Sequence, residues 1–195
     1  MTQKSFIFIG RSGCGKGTQA KMLMEYLKQQ DSARDVLYIQ TGAEMREFMK
    51  GDSYTQKLVK QVLDEGELPE EFIAVYMWSN VLISKFTGNE QLVFDGCPRK
   101  FHEAGVMESV FRAYKLQKPY VINLDIDRAT SEQRLLARKR YDDNKNEIDR
   151  RQAWYERDVA PTVKFYETSP DYTFIKIDGT LPVEKVFEQI VKAIN

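Results

Sequence analysis

Cysteine and histidine are nearly missing from this chain. Its two cysteines, Cys14 and Cys97, lie far apart with no C-x-x-C spacing, and His102 is the one histidine. So small a supply offers neither a disulfide framework nor a metal-ligand set, so no zinc is expected and the reading is of a reducing, cytoplasmic setting. An excess of one charge is missing too, since 29 basic residues stand against 29 acidic ones. Without an overall positive field, nucleic acid and anionic membrane are not expected partners, and any affinity for phosphate has to be local.

Long apolar runs are also absent. The run SFIFI (5–9) is too short for a secretory core, and nothing later approaches the roughly 20 residues of a membrane helix. No internal repeat, low-complexity tract or Pro/Gly/Ser linker interrupts the sequence. The 195 residues fit one α/β domain, and the expected boundary is 1–195.

What is present alternates. Apolar, β-branched or aromatic runs recur at 5–9, 36–39, 91–94, 120–124 and 172–177. Helical patterns long enough for crossovers lie between or after them at 15–30, 103–114, 130–139 and 183–194. Such spacing predicts an α/β fold with a five-stranded parallel sheet covered by helices. Two stretches, 41–87 and 139–161, exceed what a crossover needs and are expected as flaps over a site.

The first strand runs into GRSGCGKGT (10–18) and then into a helix. G-x-x-x-x-G-K between a strand and a helix is the context of a phosphate loop, the signature of a P-loop NTPase-type fold. Glycines at 10, 13, 15 and 17 let backbone N–H groups close around an anion, and Lys16 reaches the β/γ end of a nucleotide. A plain glycine-rich turn with a surface lysine is the competing reading, and the flanking elements weigh against it. Gly17 stands where the general motif places the magnesium-binding Ser or Thr, and Thr18 follows one residue later.

GKGTQ (15–19), TGAEMRE (41–47), DGCPRK (95–100) and RLLARKRYDD (134–143), in this order, resemble the adenylate kinase family of nucleoside monophosphate kinases over nearly the whole chain. The resemblance implies an ATP site formed by Gly10, Gly13, Cys14, Gly15, Lys16, Gly17 and Thr18, joined by Arg134 and Gly179. It implies an acceptor site at Thr41, Gly42, Arg46 and Leu68, completed by Gly96, Arg99, Glu103, Arg140 and Arg151. The groups implied in catalysis are Lys16, Arg99, Arg134, Arg138, Arg140 and Arg151. Mg²⁺ would arrive with ATP and have no direct protein ligand, Asp95 acting on it through water. The same resemblance implies an acceptor-binding insertion at about 41–71, a short lid at about 138–150, and a monomer. Asp142 and Asp143 would pair with arginines to shape the closed lid.

Apart from the family, phosphoryl transfer asks little covalent chemistry of a protein, so holding two nucleotides in line and neutralising charge is enough. Planar, bidentate arginines suit that work. Cys14 and His102 read as a structural thiol and a surface imidazole.

The sequence also departs from the family pattern. Only Lys139 separates Arg138 from Arg140, a clipped lid from which some acceptor-independent ATP hydrolysis is expected. Glu103 stands where adenylate kinases usually carry Gln, and an ionised carboxylate that only accepts hydrogen bonds suits guanine better than adenine. Ala43 replaces the Asp of TGD, and GELPEE (66–71) is one residue short, whereas Thr41 matches the adenylate type. The expected reaction is reversible transfer from ATP to AMP giving two ADP. GMP or UMP/CMP as acceptor, or a catalytically silent nucleotide-binding module, are the alternatives. NKNE (144–147) fails as a guanine-reading motif in its fourth residue and in having no strand before it.

Overall fold

The structure is a computed structural model that describes residues 3–65, 67–138 and 144–195. Five strands, β1 (Ser5–Ile9), β2 (Val36–Gln40), β3 (Gln91–Asp95), β4 (Tyr120–Asp125) and β5 (Thr173–Asp178), form one parallel sheet in the order β2-β3-β1-β4-β5. The strands fall within a residue or two of the apolar runs, because each run is β-branched or aromatic and bounded by turn residues.

Strand β1 is central and wholly buried, and its alternate side chains feed two cores. Ile7 and Ile9 face one core with Leu92 and Phe94 of β3, whereas Phe6 and Phe8 face the other with Val93. On the Phe6 side the sheet is covered by α1 (Lys16–Gln30), through Ala20, Leu23 and Leu27, and by α9 (Val183–Ile194), through Val186, Ile190 and Ile194. On the Ile7 side lie α4 (Glu71–Lys85) and α5 (Phe101–Ala113), then a π-helical turn (Tyr155–Val159) and α8 (Ala160–Thr168). Helices on both faces bury the inner strands β3, β1 and β4, as a parallel sheet requires, while the edge strands β2 and β5 are partly exposed.

The remaining helices are α2 (Thr41–Phe48), α3 (Tyr54–Asp64), α6 (Arg128–Arg138) and α7 (Lys145–Trp154). Helix α6 starts two residues before the helical pattern at 130–139 indicated. Asp127 accepts from the Thr130 N–H at 2.7 Å and so caps the first turn.

The expectation that 41–87 and 139–161 are both flaps needs correction. Helix α4 buries Trp78, Val81 and Leu82 in the larger core, and the second stretch contributes Trp154, Tyr155 and Val159 to the same core. Burial of such side chains contributes about 1.5–3 kcal/mol each, so these parts belong to the body of the fold. Helices α2 and α3 instead pack against Ile73 and Met77 of α4 in a separate small cluster with Met45 and Val59. Residues 139–143, which include Arg140, Asp142 and Asp143, lie outside the described residues.

In this strand order the chain runs from β1 outward to one side and later returns to the other. The crevice at the carboxyl ends of β1 and its neighbours is therefore the switch point at which α/β sheets bind ligands.

Candidate active site

A cavity of about 960 Å³ opens at that edge, lined by residues of the phosphate loop, α2, the β3 end, α6 and α7. Single small-molecule sites commonly run from about 300 to 1,000 Å³, so this one has room at the upper end of the range.

Gly10 follows β1 with φ +140°, and a Cβ there would sit 2.5 Å from the Leu124 carbonyl oxygen, so only glycine lets the loop leave between β1 and β4. The loop then turns into α1 at Gly15, whose carbonyl accepts from the N–H groups of Thr18 and Gln19 at 3.0 Å each. No acidic residue occupies the first turn of α1, leaving the positive end of the helix for an anion. Lys16 folds back over the loop, its Nζ donating to the carbonyls of Gly10 at 2.9 Å and Arg11 at 2.8 Å. The ammonium is thereby held at the mouth of the nest.

Gly17 explains itself through what it approaches. A Cβ there would lie 3.4 Å from Asp95 Oδ2, with Gln40 and Tyr38 just beyond. Asp95 is buried at the end of β3, and its Oδ2 accepts from the Tyr38 hydroxyl at 2.7 Å and from Gln40 Nε2 at 3.1 Å. Burial and the adjacent Asp95 charge push the Tyr38 phenol well above its ordinary value, so it remains a proton donor. The β2–β3 register, which pairs Gln40 with Asp95 and Tyr38 with Val93, builds this cluster.

Arg99 follows the β3 turn. Its Nε donates to the Gly96 carbonyl at 2.9 Å, and its guanidinium lies 5.4 Å from the Trp154 ring centroid. Burial lowers its pKa, with Glu103 and Asp95 opposing the shift, and it remains a cation at neutral pH. Glu103, in the first turn of α5, accepts from the backbone N–H groups of Arg99 at 3.3 Å and Lys100 at 3.2 Å. Burial raises its pKa against those donors. The carboxylate that sequence reasoning assigned to reading a base thus also caps a helix while lining the cavity.

The other expected residues converge. Gly13, Thr18, Thr41, Gly42, Arg46, Leu68, Gly96, Arg134, Arg138 and Arg151 all line the cavity. Buried Thr41 Oγ1 has no hydrogen-bond partner among the described residues. Three expected residues sit elsewhere. Gly10 borders a small adjoining hollow and Cys14 is buried beneath the loop, while Gly179 gives its carbonyl to Arg134 Nη1 at 2.8 Å. Arg134 also donates to Thr180 O at 3.4 Å, which ties α6 to the loop after β5. Exposed His102 pairs with Glu71 at 3.3 Å.

Tyr38, Gln40 and Trp154 were not foreseen. Tyr38 and Gln40 were detectable in principle, since alternate residues at the end of β2 share the face beside Thr41. Among the described residues no group of three or more His, Cys, Asp or Glu could hold a metal ion, and no helix is long and apolar enough to cross a membrane.

A parallel sheet with a phosphate loop at its switch point, and a cavity where two lysines and several arginines meet, defines a phosphate-loop nucleotide-binding α/β protein. Comparison with known proteins narrows the class. The family model "Adenylate kinase" matches residues 8–170. The chain is 30% identical over 179 residues to the "Adenylate kinase" of Prochlorococcus marinus (strain MIT 9515), covering 92% of this chain and 93% of that one. It is 29% identical over 194 residues to that of Parabacteroides distasonis (97% and 96% covered), and 25% identical over 198 residues to that of Encephalitozoon cuniculi (100% of both). The chain belongs to the adenylate kinase family.

Proposed function

We propose that this protein transfers the γ-phosphoryl group of ATP·Mg to AMP, giving two ADP, and catalyses the reverse reaction. The observation that carries this reading is the meeting of Lys16, Arg46, Arg99, Arg134, Arg138 and Arg151, from separate parts of the chain, on one cavity. A binder of one nucleotide needs fewer cations. A transfer site has to neutralise two phosphate chains and the group passing between them.

On the donor side, the loop N–H groups and Lys16 hold the β- and γ-phosphates, and Arg134 orders the Gly179 loop beside the donor base. On the acceptor side, Thr41, Gly42 and Leu68 form the base pocket, with Gly96 and Glu103 completing it, while Arg46 and Arg99 clamp the monophosphate. Arg138 and Arg151 act between the two, and Arg140, outside the described residues, is assigned with them. Residues 41–71 act as the acceptor flap and 138–150 as a short lid of one domain, whose closure excludes water from the transfer.

The residues present suit a hydrated magnesium ion and not one ligated directly. Mg²⁺ keeps several waters and binds through substrate phosphates plus one or two carboxylates. Asp95 is the carboxylate that lies against Gly17 of the phosphate loop, and its Oδ2 is already committed to Tyr38 and Gln40, leaving Oδ1 for a metal-bound water. When bound, the ion shields the charge that builds between the β- and γ-phosphates. One chain supplies both walls of the cavity, so we assign a monomer. The two free, buried cysteines fit a reducing cytoplasm.

A coupled assay offering AMP, GMP, CMP and UMP separately with ATP·Mg tests the assignment. Saturable turnover with AMP, far above the other acceptors, is expected. Preference for another acceptor, or AMP turnover no greater than the acceptor-free control, would overturn it. The same control reads the acceptor-independent hydrolysis expected of a clipped lid.

A further inference from the structure

Arg11 lies inside the phosphate loop by sequence, yet its guanidinium turns away from the cavity. Its Nη1 donates to Gln152 Oε1 at 3.0 Å, its Nη2 pairs with Glu156, and its plane lies 4.1 Å from the centroid of the Tyr155 ring. Gln152 is 1% exposed, an unusual place for an amide within α7. Burying such a group without partners costs about 1–3 kcal/mol, but here both ends are satisfied. Gln152 Nε2 donates to Ser131 Oγ at 2.7 Å, and Ser131, itself fully buried, donates to the Ser12 carbonyl at 2.7 Å. The bonds run from the phosphate loop through α7 and α6 and back to the phosphate loop.

Each connected segment carries cations of the site. The loop leads to Lys16, α6 carries Arg134 and Arg138, and Arg151 adjoins Gln152 in α7. We propose that Arg11, Gln152 and Ser131 form a buried relay that fixes the spacing between the phosphate loop and the helices bearing these arginines, which makes Arg11 a positioning residue and not a phosphate ligand. The inference rests on the transfer function proposed above. A guanidinium can hold Gln152 and Glu156 at once because its donors form a rigid fork, whereas an ammonium is a single point charge. Transfer depends on alignment so steeply that a displacement of about 1 Å can cost about 10²-fold.

The test compares Arg11→Ala, Arg11→Lys, Gln152→Leu, Ser131→Ala and the Arg11→Ala/Gln152→Leu double variant with the wild type. Gln152→Leu keeps side-chain volume, and Ser131→Ala removes one oxygen, so a folded variant is available at each buried position. Each single variant is expected to lower kcat by about 10- to 100-fold while the Kd for ATP, measured without acceptor, stays within about twofold. Arg11→Lys should not rescue, and the double variant should be no slower than the worse single one. Affinity for a dinucleoside pentaphosphate spanning both subsites should fall about 10-fold in the same variants, a readout that holds whether or not the wild type turns over. Wild-type turnover thus judges the proposed reaction, and the variant-to-wild-type ratios judge the relay. Unchanged kcat and dinucleotide affinity would overturn it, as would an ATP Kd weakened as much as transfer, full rescue by lysine, or losses that multiply in the double variant.

Discussion

The donor wall and the acceptor wall of the cavity rest on different foundations. The phosphate loop is pressed against Leu124 and Asp95 at the sheet's carboxyl ends, over a core in which Phe6, Phe8, Leu23 and Ile122 are all but inaccessible. Helices α2 and α3 rest on a small cluster of Met45, Val59, Ile73 and Met77, edged by Phe48, Met49 and Leu63, and Tyr54 and Leu58 of α3 stand exposed. Where the acceptor side meets the opposite wall, the links are exposed polar ones. Arg150 donates to the Glu65 carbonyl, and Arg157 pairs with Glu67 at 3.3 Å. Exposed ion pairs are worth about 0–1 kcal/mol. The difference teaches that one substrate meets a site set by the core, and the other a wall held by few contacts, the low-stability material from which moving flaps are drawn.

The largest test of this contrast is Lys16→Ala. Loss of a preorganised charge in the nest should lower kcat about 10²- to 10³-fold and weaken ATP binding, with little change in AMP affinity measured by calorimetry. An acceptor effect as large as the donor effect would mean that the two walls are not separate.

Next comes stability. Phe94→Ala in the main core should cost about 3–5 kcal/mol of global unfolding free energy. Val59→Ala, which empties about two methyl groups from the flap cluster, should cost about 1–2 kcal/mol locally. In urea unfolding and steady-state kinetics, the second should raise KM for AMP while leaving the midpoint and KM for ATP nearly unchanged. A shared fall in the midpoint would make flap and core one cooperative unit.

Tyr38→Phe removes the 2.7 Å bond to Asp95 and the 3.0 Å bond that the hydroxyl accepts from Gln40 Nε2. Outer partners of metal-holding groups are worth about 10- to 100-fold, so the Mg²⁺ concentration for half-maximal rate should rise about 10-fold. The Mg²⁺-dependent gain in ATP affinity should shrink with it, and metal-free ATP binding should not move.

The smallest effect concerns Glu103. Its pKa is raised on folding from an ordinary 4.5, so between the two values the folded protein holds more protons than the unfolded one. The contribution of Glu103 to stability is therefore fully present below 4.5 and is lost as pH rises through the folded pKa. Glu103→Gln should remove this part of the slope when unfolding free energy is measured across that window, and an unaltered slope would show that another group causes it.

Much of this was readable in the chain because local chemistry demanded it. The strands announced themselves as apolar runs, and the loop could be placed because a glycine such as Gly10 answers a backbone requirement at its own position. Segment length misled over 41–87 and 139–161, since length says nothing about which face of α4, or of the turn at 155–159, meets a core. Glu103 shows the same limit from the other side. Its residue type suggested base reading, while its position in the first turn of α5 gave it two backbone donors to accept.

By itself, then, the sequence determined the α/β class, the phosphate loop and the set of cations available for transfer, because short-range periodicity and turn chemistry are written in neighbouring residues. The tertiary structure alone decided the partners. Tyr38 reaches Asp95 across 57 positions and Arg11 reaches Gln152 across 141. Such pairs come from strand register and from two cores closing on one sheet, and no local pattern along the chain encodes them.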